Sequence, residues 1–200
     1  MSRIAPLSLD ELPEETRSAL EYAQGIMGFT ANDVLTMARW PELLSAMQQL
    51  VGVIYKPGAL DPLLKRLIGT IVSGASGCRY CQAHAAHGAA KMAGGEDAKV
   101  AAVWQYQTSD LFSPAERAAL DLALAAGQQP NAATDAHFAA LDMHFHQQQI
   151  MEIMGVISLF GFLNRWNDTL ATQLEAAPLN FAETNLSAQN WNAGKHSSGE

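Results

Sequence analysis

The chain has 200 residues, a formal net charge of −8 with 12 Lys and Arg, and a composition 48% hydrophobic and 16% charged. That suits one domain with a filled core and is too apolar for a disordered chain. There is no basic run, which excludes nucleic acid and anionic membranes as expected partners, and no apolar run long enough to span a bilayer.

The N-terminal stretch MSRIAPLSLDELPEE has no apolar core after Arg3, so no secretory signal is read and the expected compartment is the cytoplasm. Two cysteines in a reducing cytosol point to catalysis or metal binding rather than to a structural disulfide.

No stretch alternates as a strand should, and helical spacing recurs throughout, so the expected class is all-α. Pro13 opens a first helix that ends near Gly28. Thr30 and Asp33 read as a capping pair for a helix over 31–39. After Trp40-Pro41 a third helix covers 42–55. Lys56-Pro57-Gly58 is a turn, and Asp61-Pro62 is an N-cap followed by a first-turn proline. The helix from 62 carries the apolar stripe Leu63, Leu64, Leu67, Ile68, Ile71, Val72 and Ala75. Its other side carries Gly69, Thr70, Ser73 and Gly74, small enough for a second backbone to approach.

Ser76-Gly77 punctuates the chain before a cysteine-bearing helix over 78–93, stopped by Gly94-Gly95. A helix starting at Glu96-Asp97 carries Val100 and Trp104. Ser113-Pro114-Ala115-Glu116 is a capping box with Pro at the first position, and its helix stops near Gly127. Further helices cover 134–145 and 148–166, the latter extended or followed by 167–174. The expected organisation is one helical domain over 1–177, of about seven to nine helices, and a polar tail over 178–200. Leu179, Phe181 and Trp191 are the tail's candidate contacts.

Cys78 and Cys81 lie one helical turn apart, within disulfide reach. The helix N-terminus favours thiolate, with Arg79 beside it, and a thiolate attacking a peroxide gives a sulfenic acid that a second thiol condenses to a disulfide. His84, on the adjoining turn, is the natural base. His87 falls round the helix from Cys78, so the expected site is Cys78, Cys81 and His84, with Tyr80 as a pocket wall. A zinc site is disfavoured, since one continuous helix does not converge all four Cys and His side chains. His137, Asp142, His144 and His146 read as a solvated face, and Met143, Met151 and Met154 as core filler. Asn164, Arg165, Trp166 and Asn167 break an apolar helix and line either a site or a subunit contact.

At Gly77-Cys78-Arg79-Tyr80-Cys81-Gln82-Ala83-His84 the chain resembles the carboxymuconolactone decarboxylase / AhpD-like superfamily, in its peroxidase-related branch. Leu64-Lys65-Arg66-Leu67-Ile68, Ser113-Pro114-Ala115-Glu116-Arg117-Ala118 and the run from Leu159 to Asn167 add to the likeness, which covers roughly residues 10–175. The resemblance implies an AhpD-like helical bundle, a homo-oligomer (dimer, trimer or hexamer), no cofactor and no metal. It also implies an antioxidant peroxidase that takes a small-molecule hydroperoxide and is re-reduced by a thiol protein or small thiol. Carried over, Cys81 reacts with peroxide and Cys78 resolves it, whereas the helix dipole makes Cys78 the more acidic thiol.

Two positions depart from the family's proton relay. Its glutamate position is Arg66 here and its histidine position is Ala85, so Arg66, Tyr80 and His87 are carried as supporting candidates. The alternatives are a non-redox helical oligomer that binds a small apolar ligand, and a lactone decarboxylase-type enzyme using His84.

Overall fold

The computed structural model describes residues 2–92, 97–186 and 191–197. These form α1 (Glu14–Met27), α2 (Asn32–Met37), α3 (Pro41–Tyr55), α4 (Pro62–Ala75), α5 (Arg79–Met92), α6 (Asp97–Ala101), α7 (Pro114–Ala126), α8 (Asp135–Asp142), α9 (Gln147–Leu170) and α10 (Ala176–Asn185). Eight of the ten are at least eight residues long, and no strand occurs among the described residues, so the all-α bundle expected from periodicity is what forms.

Helix α4 is the centre of the bundle, packing on α5, α7 and α9. It starts where Asp61 accepts from the Leu64 N–H at 2.9 Å, with Pro62 in the first turn. Leu67, Ile68 and Ile71 of its stripe are fully buried, and each such side chain stabilises the fold by about 1.5–3 kcal/mol relative to exposure. The small-residue side is filled by rings rather than by a second backbone. A Cβ on Gly69 would lie 2.5 Å from the Phe160 ring, and one on Gly74 would lie 2.2 Å from Trp104.

Between α4 and α5 the chain reverses at Gly77, whose φ of 78° favours glycine. That turn delivers Cys78 to the mouth of α5. The expected stop of this helix at Gly94-Gly95 lies outside the described residues.

Several local readings are corrected. Thr30 bonds Gln24 and not a helix end, while Ala31 occupies the N-cap of α2, so Asp33 is released from a capping role. Met143 and Met151 are exposed rather than core filler. Helix α9 continues through 167 to Leu170, so of the two options given the residues after 166 extend it. Residues 176–185, most of them in the stretch from 178 read as a tail, form α10 on α5, and beyond it Trp191, one of the expected contacts, and His196 are buried. His196 is held there by a Leu174 N–H to its carbonyl at 2.9 Å. No helix among the described residues is long and apolar enough to cross a membrane.

Candidate active site

Both cysteines are free thiols and nearly inaccessible, Cys78 at 0% and Cys81 at 3% exposure. Cys78 immediately precedes α5, and its carbonyl accepts the Gln82 N–H at 3.1 Å, as an N-cap residue's does. Its Sγ accepts the Cys81 N–H at 3.4 Å, one of the otherwise unpaired donors of the first turn. Cys81, one turn on, faces a cavity of about 150 Å³ lined also by Asp33, Tyr55, Arg66, Tyr80, His84 and Phe160. Burial pushes the Cys81 thiol well above its ordinary pKa, and the Cys78 thiol and the Asp33 carboxylate add to that. Asn167 opposes it by donating Nδ2–H to Cys81 Sγ at 3.4 Å and to Asp33 Oδ2 at 3.1 Å.

His84 meets a carboxylate that no local pattern reveals. Its Nε2 lies 2.6 Å from Glu175 Oε2, at the N-cap of α10. The other oxygen, Oε1, accepts the Tyr80 hydroxyl at 2.9 Å and the Asn32 N–H at 2.5 Å. Burial alone would raise the Glu175 pKa, but the His84 hydrogen bond and charge and the Asn32 N–H outweigh it and hold the carboxyl below the usual range. Tyr80 stacks on His84 with ring centres 4.3 Å apart, which fixes the plane of the imidazole. His84, Glu175 and Tyr80 thus form a connected polar group beside Cys81.

Of the residues singled out from sequence, Cys81, His84, Tyr80 and Arg66 share the cavity, together with Ala85. Cys78 lies behind it, and His87 lies outside it, between the rings of Phe29 at 5.9 Å and Phe181 at 5.8 Å. Arg66 spreads its guanidinium over the Tyr55 ring at 4.0 Å and makes no ion pair among the described residues. Arg79 bonds Gln82 rather than a thiol. Of the run from Asn164 to Asn167, Asn167 reaches the site by its bonds to Cys81 and Asp33. Asn164 and Asn167 are buried, Arg165 is exposed and Trp166 is half-buried. Asp142, His144 and His146 are exposed, as a solvated face requires.

Glu175 and Tyr55 escaped sequence reasoning as site residues, and Asp33 was read only as a cap. Asp33 is partly buried, and desolvation raises its pKa against the opposing charge of His84. Because the Asp33 charge is one of the causes that hold Cys81 protonated, Asp33→Asn is expected to lower the Cys81 pKa. The amide keeps one acceptor oxygen, for the Val34 N–H that Oδ1 accepts, and gives up the Oδ2 that accepts from Asn167. The measurement is thiolate absorbance against pH in a Cys78→Ser background, where a midpoint that stays put or rises would contradict the assignment.

Comparison with known proteins places this geometry among relatives. The family model for the carboxymuconolactone decarboxylase family matches residues 41–125. The Escherichia coli K12 protein YnjA is 30% identical over 143 residues, spanning 69% of this chain and 78% of that one. The debrominase Bmp8, solved as a cysteine-to-alanine variant in complex with 2,3,4-tribromopyrrole, is 33% identical with a TM-score of 0.84 over 90% of this chain and 96% of its own. A peroxidase-related protein with an AhpD core from Ralstonia eutropha JMP134 shares the fold, with a TM-score of 0.77 at 24% identity over 90% of this chain and 95% of that one.

Proposed function

The chain belongs to the carboxymuconolactone decarboxylase family, and from that premise we propose that it is an oxidoreductase whose Cys81–Cys78 dithiol delivers two electrons to a small organic substrate, an organic hydroperoxide first. The observation that carries the reading is the placement of Cys81. It is the thiol that faces the cavity, with its partner thiol one turn behind it and a histidine–carboxylate pair beside it.

The chemistry balances without a cofactor. Cys81 gives its thiol proton to His84, the thiolate attacks the terminal peroxide oxygen, the O–O bond breaks, and the leaving alkoxide takes that proton back from His84 to become the alcohol. The Cys81 sulfenic acid then condenses with the Cys78 thiol to a disulfide and water. A reducing thiol protein or small thiol restores the pair, and the active unit is a homo-oligomer. Val51, Leu159, Phe160 and Leu163 on the wall favour an organic group over hydrogen peroxide itself. The cavity is smaller than the roughly 300–1,000 Å³ of sites for drug-sized ligands, so the substrate is compact. Arg66, unpaired over Tyr55, favours thiolate or an anionic substituent at the far wall.

One observation favours a second substrate for the same electrons. The 33% identical relative is a debrominase whose cysteine variant was captured with a bromopyrrole. Reductive debromination ends in the same disulfide. The thiolate takes bromine from the ring, the carbon takes a proton, and the second thiol displaces bromide.

The test is intact-mass analysis after one equivalent of cumene hydroperoxide or of a bromopyrrole. Loss of two hydrogens, mapped to a Cys78–Cys81 peptide and abolished in Cys81→Ser, is expected with the true substrate. In Cys78→Ser the product is a trapped sulfenic acid on Cys81 for the peroxide. Unchanged thiols with both substrates sink the dithiol reading.

A further inference from the structure

A second cluster surrounds Cys78, and none of its members lines the substrate cavity. The ligand atoms of Cys78, Asp168 and His196 all lie within 4.8 Å of one another. His196 is fully buried, although it sits in the polar stretch that follows α10. Its Nδ1 is 2.7 Å from the Thr172 carbonyl. A carbonyl only accepts, so Nδ1 carries the proton, and the neutral ring therefore has its lone pair on Nε2. That atom is buried and has no hydrogen-bond partner. Asp168 Oδ1, 3.5 Å away, is another acceptor and does not satisfy it. The Cys78 thiol is the available proton donor in the cluster.

We propose that His196, carried in by the C-terminal segment and backed by Asp168, is the base that takes the proton from Cys78 when the disulfide closes. The proposal rests on the dithiol reading above. Cys78 S–H gives its proton to His196 Nε2, and the thiolate attacks the Cys81 sulfenic sulfur. The S–O bond breaks, and the leaving hydroxide takes up one proton to become water. The imidazolium then has both N–H groups directed at acceptors, Thr172 O and Asp168 Oδ1. Burial lowers the His196 pKa against the pull of the Thr172 carbonyl and the Asp168 carboxylate, which keeps the ring neutral and ready to accept.

The remaining charged and titratable groups facing the cluster fit this role. Lys195 pairs with Asp168 Oδ2 at 2.7 Å, and the Tyr80 ring lies 6.0 Å from the His196 ring. Asp168 also lines a cavity of about 220 Å³ with Ser76, Asn164 and Arg165, which gives the proton a way out. The Cys81 N–H already bonded to Cys78 Sγ stabilises the thiolate as it forms. The two thiols are thus served by different groups, Cys81 by the substrate cavity and Cys78 by the C-terminal segment.

The experiment follows disulfide formation by quench and mass analysis from pH 6 to 9.5 in wild type, His196→Gln and Asp168→Asn. The oxidant is cumene hydroperoxide in one arm and diamide, a thiol oxidant that makes the same disulfide without peroxide, in the other. His196→Gln is expected to slow closure at least tenfold at pH 7, with dimedone-trapped Cys81 sulfenic acid accumulating in the peroxide arm. The deficit narrows as the pH rises, because hydroxide takes the thiol proton without help from the imidazole. Asp168→Asn, a partly exposed position, shows a smaller deficit of the same shape.

A deficit equal at every pH reports only lost structure and overturns the proposal, as does closure at the wild-type rate in both variants. So does a visible Co(II) band lost in His196→Gln, which marks a cation site. If diamide closes the disulfide and peroxide does not, the hydroperoxide reading fails while the His196 comparison is still read in the diamide arm. No closure with either oxidant overturns both.

Discussion

Glu175→Gln is expected to slow peroxide-driven closure of the Cys78–Cys81 disulfide by about 10²-fold, the lower end of what a positioned acid–base group contributes. The carboxylate holds three donors at once, at His84 Nε2, the Tyr80 hydroxyl and the Asn32 N–H. A glutamine keeps Oε1 for Tyr80 and Asn32 only by turning its NH2 toward His84. That makes Nε2 an acceptor and moves the ring proton to Nδ1, so the wrong nitrogen is protonated even though the side-chain shape is unchanged. The tautomer is readable by 15N NMR, which a merely structural effect would leave alone. A wild-type rate in the variant would remove Glu175 from the mechanism. The carboxyl's folded pKa is depressed, so its stabilisation is present above about pH 4.3 and is lost as pH falls through the folded value. The comparison is therefore made near neutral pH, where Glu175 is charged.

What was legible in the sequence is what a helix determines within itself. The cysteine spacing put both thiols on adjacent turns at a helix start, and Asp61-Pro62 and Ser113-Pro114 marked true N-termini. His84 could be named from its spacing to Cys81. The carboxylate that orients it could not, because Glu175 is 91 positions away and arrives by packing α10 on α5. Asp33 carries a sound capping pattern with Thr30, and the burial of its side chain beside Asn167 overrides that pattern. The sharp break in the apolar run of α9 did signal Asn167, since a buried amide in an apolar helix needs partners.

Helix α10 was hidden by the polar, Asn-rich composition of the chain after Pro178. Pro178 sits third in the helix, where its missing N–H would have had no intrahelical partner. The same reading left His196 in a polar tail. The family's relay carboxylate, absent at Arg66, has a counterpart reached through tertiary structure at Glu175.

Glu152→Gln is expected to destabilise the fold by about 3 kcal/mol, because it leaves a buried ammonium without its counter-charge. Lys65 is 2% exposed, and its Nζ lies 2.8 Å from Glu152 Oε2 and 2.8 Å from the Ile54 carbonyl, with the Lys56 carbonyl at 3.4 Å. Glu152 also accepts the N–H groups of Ala59 and Leu60 at 2.9 and 3.2 Å. Gly58 admits the carboxylate, since a Cβ there would lie 2.6 Å from Oε2. One pair thus ties α4 and α9 to the end of α3 and the turn that follows, beside the cavity walls Tyr55 and Arg66. Lys65→Met is expected to lose less, because Glu152 keeps its two N–H donors and part of its exposure to water. Burial would raise the Glu152 pKa, but Lys65 and those N–H groups lower it to about 2. Its contribution is therefore complete above about pH 4.3 and fades as pH falls toward 2, a window that disappears in the glutamine variant. Urea denaturation at pH 7 and pH 3 reads both effects. Equal stabilities of wild type and Glu152→Gln at pH 7 would mean that the ion pair holds nothing together, and that the cavity walls are positioned by apolar packing alone.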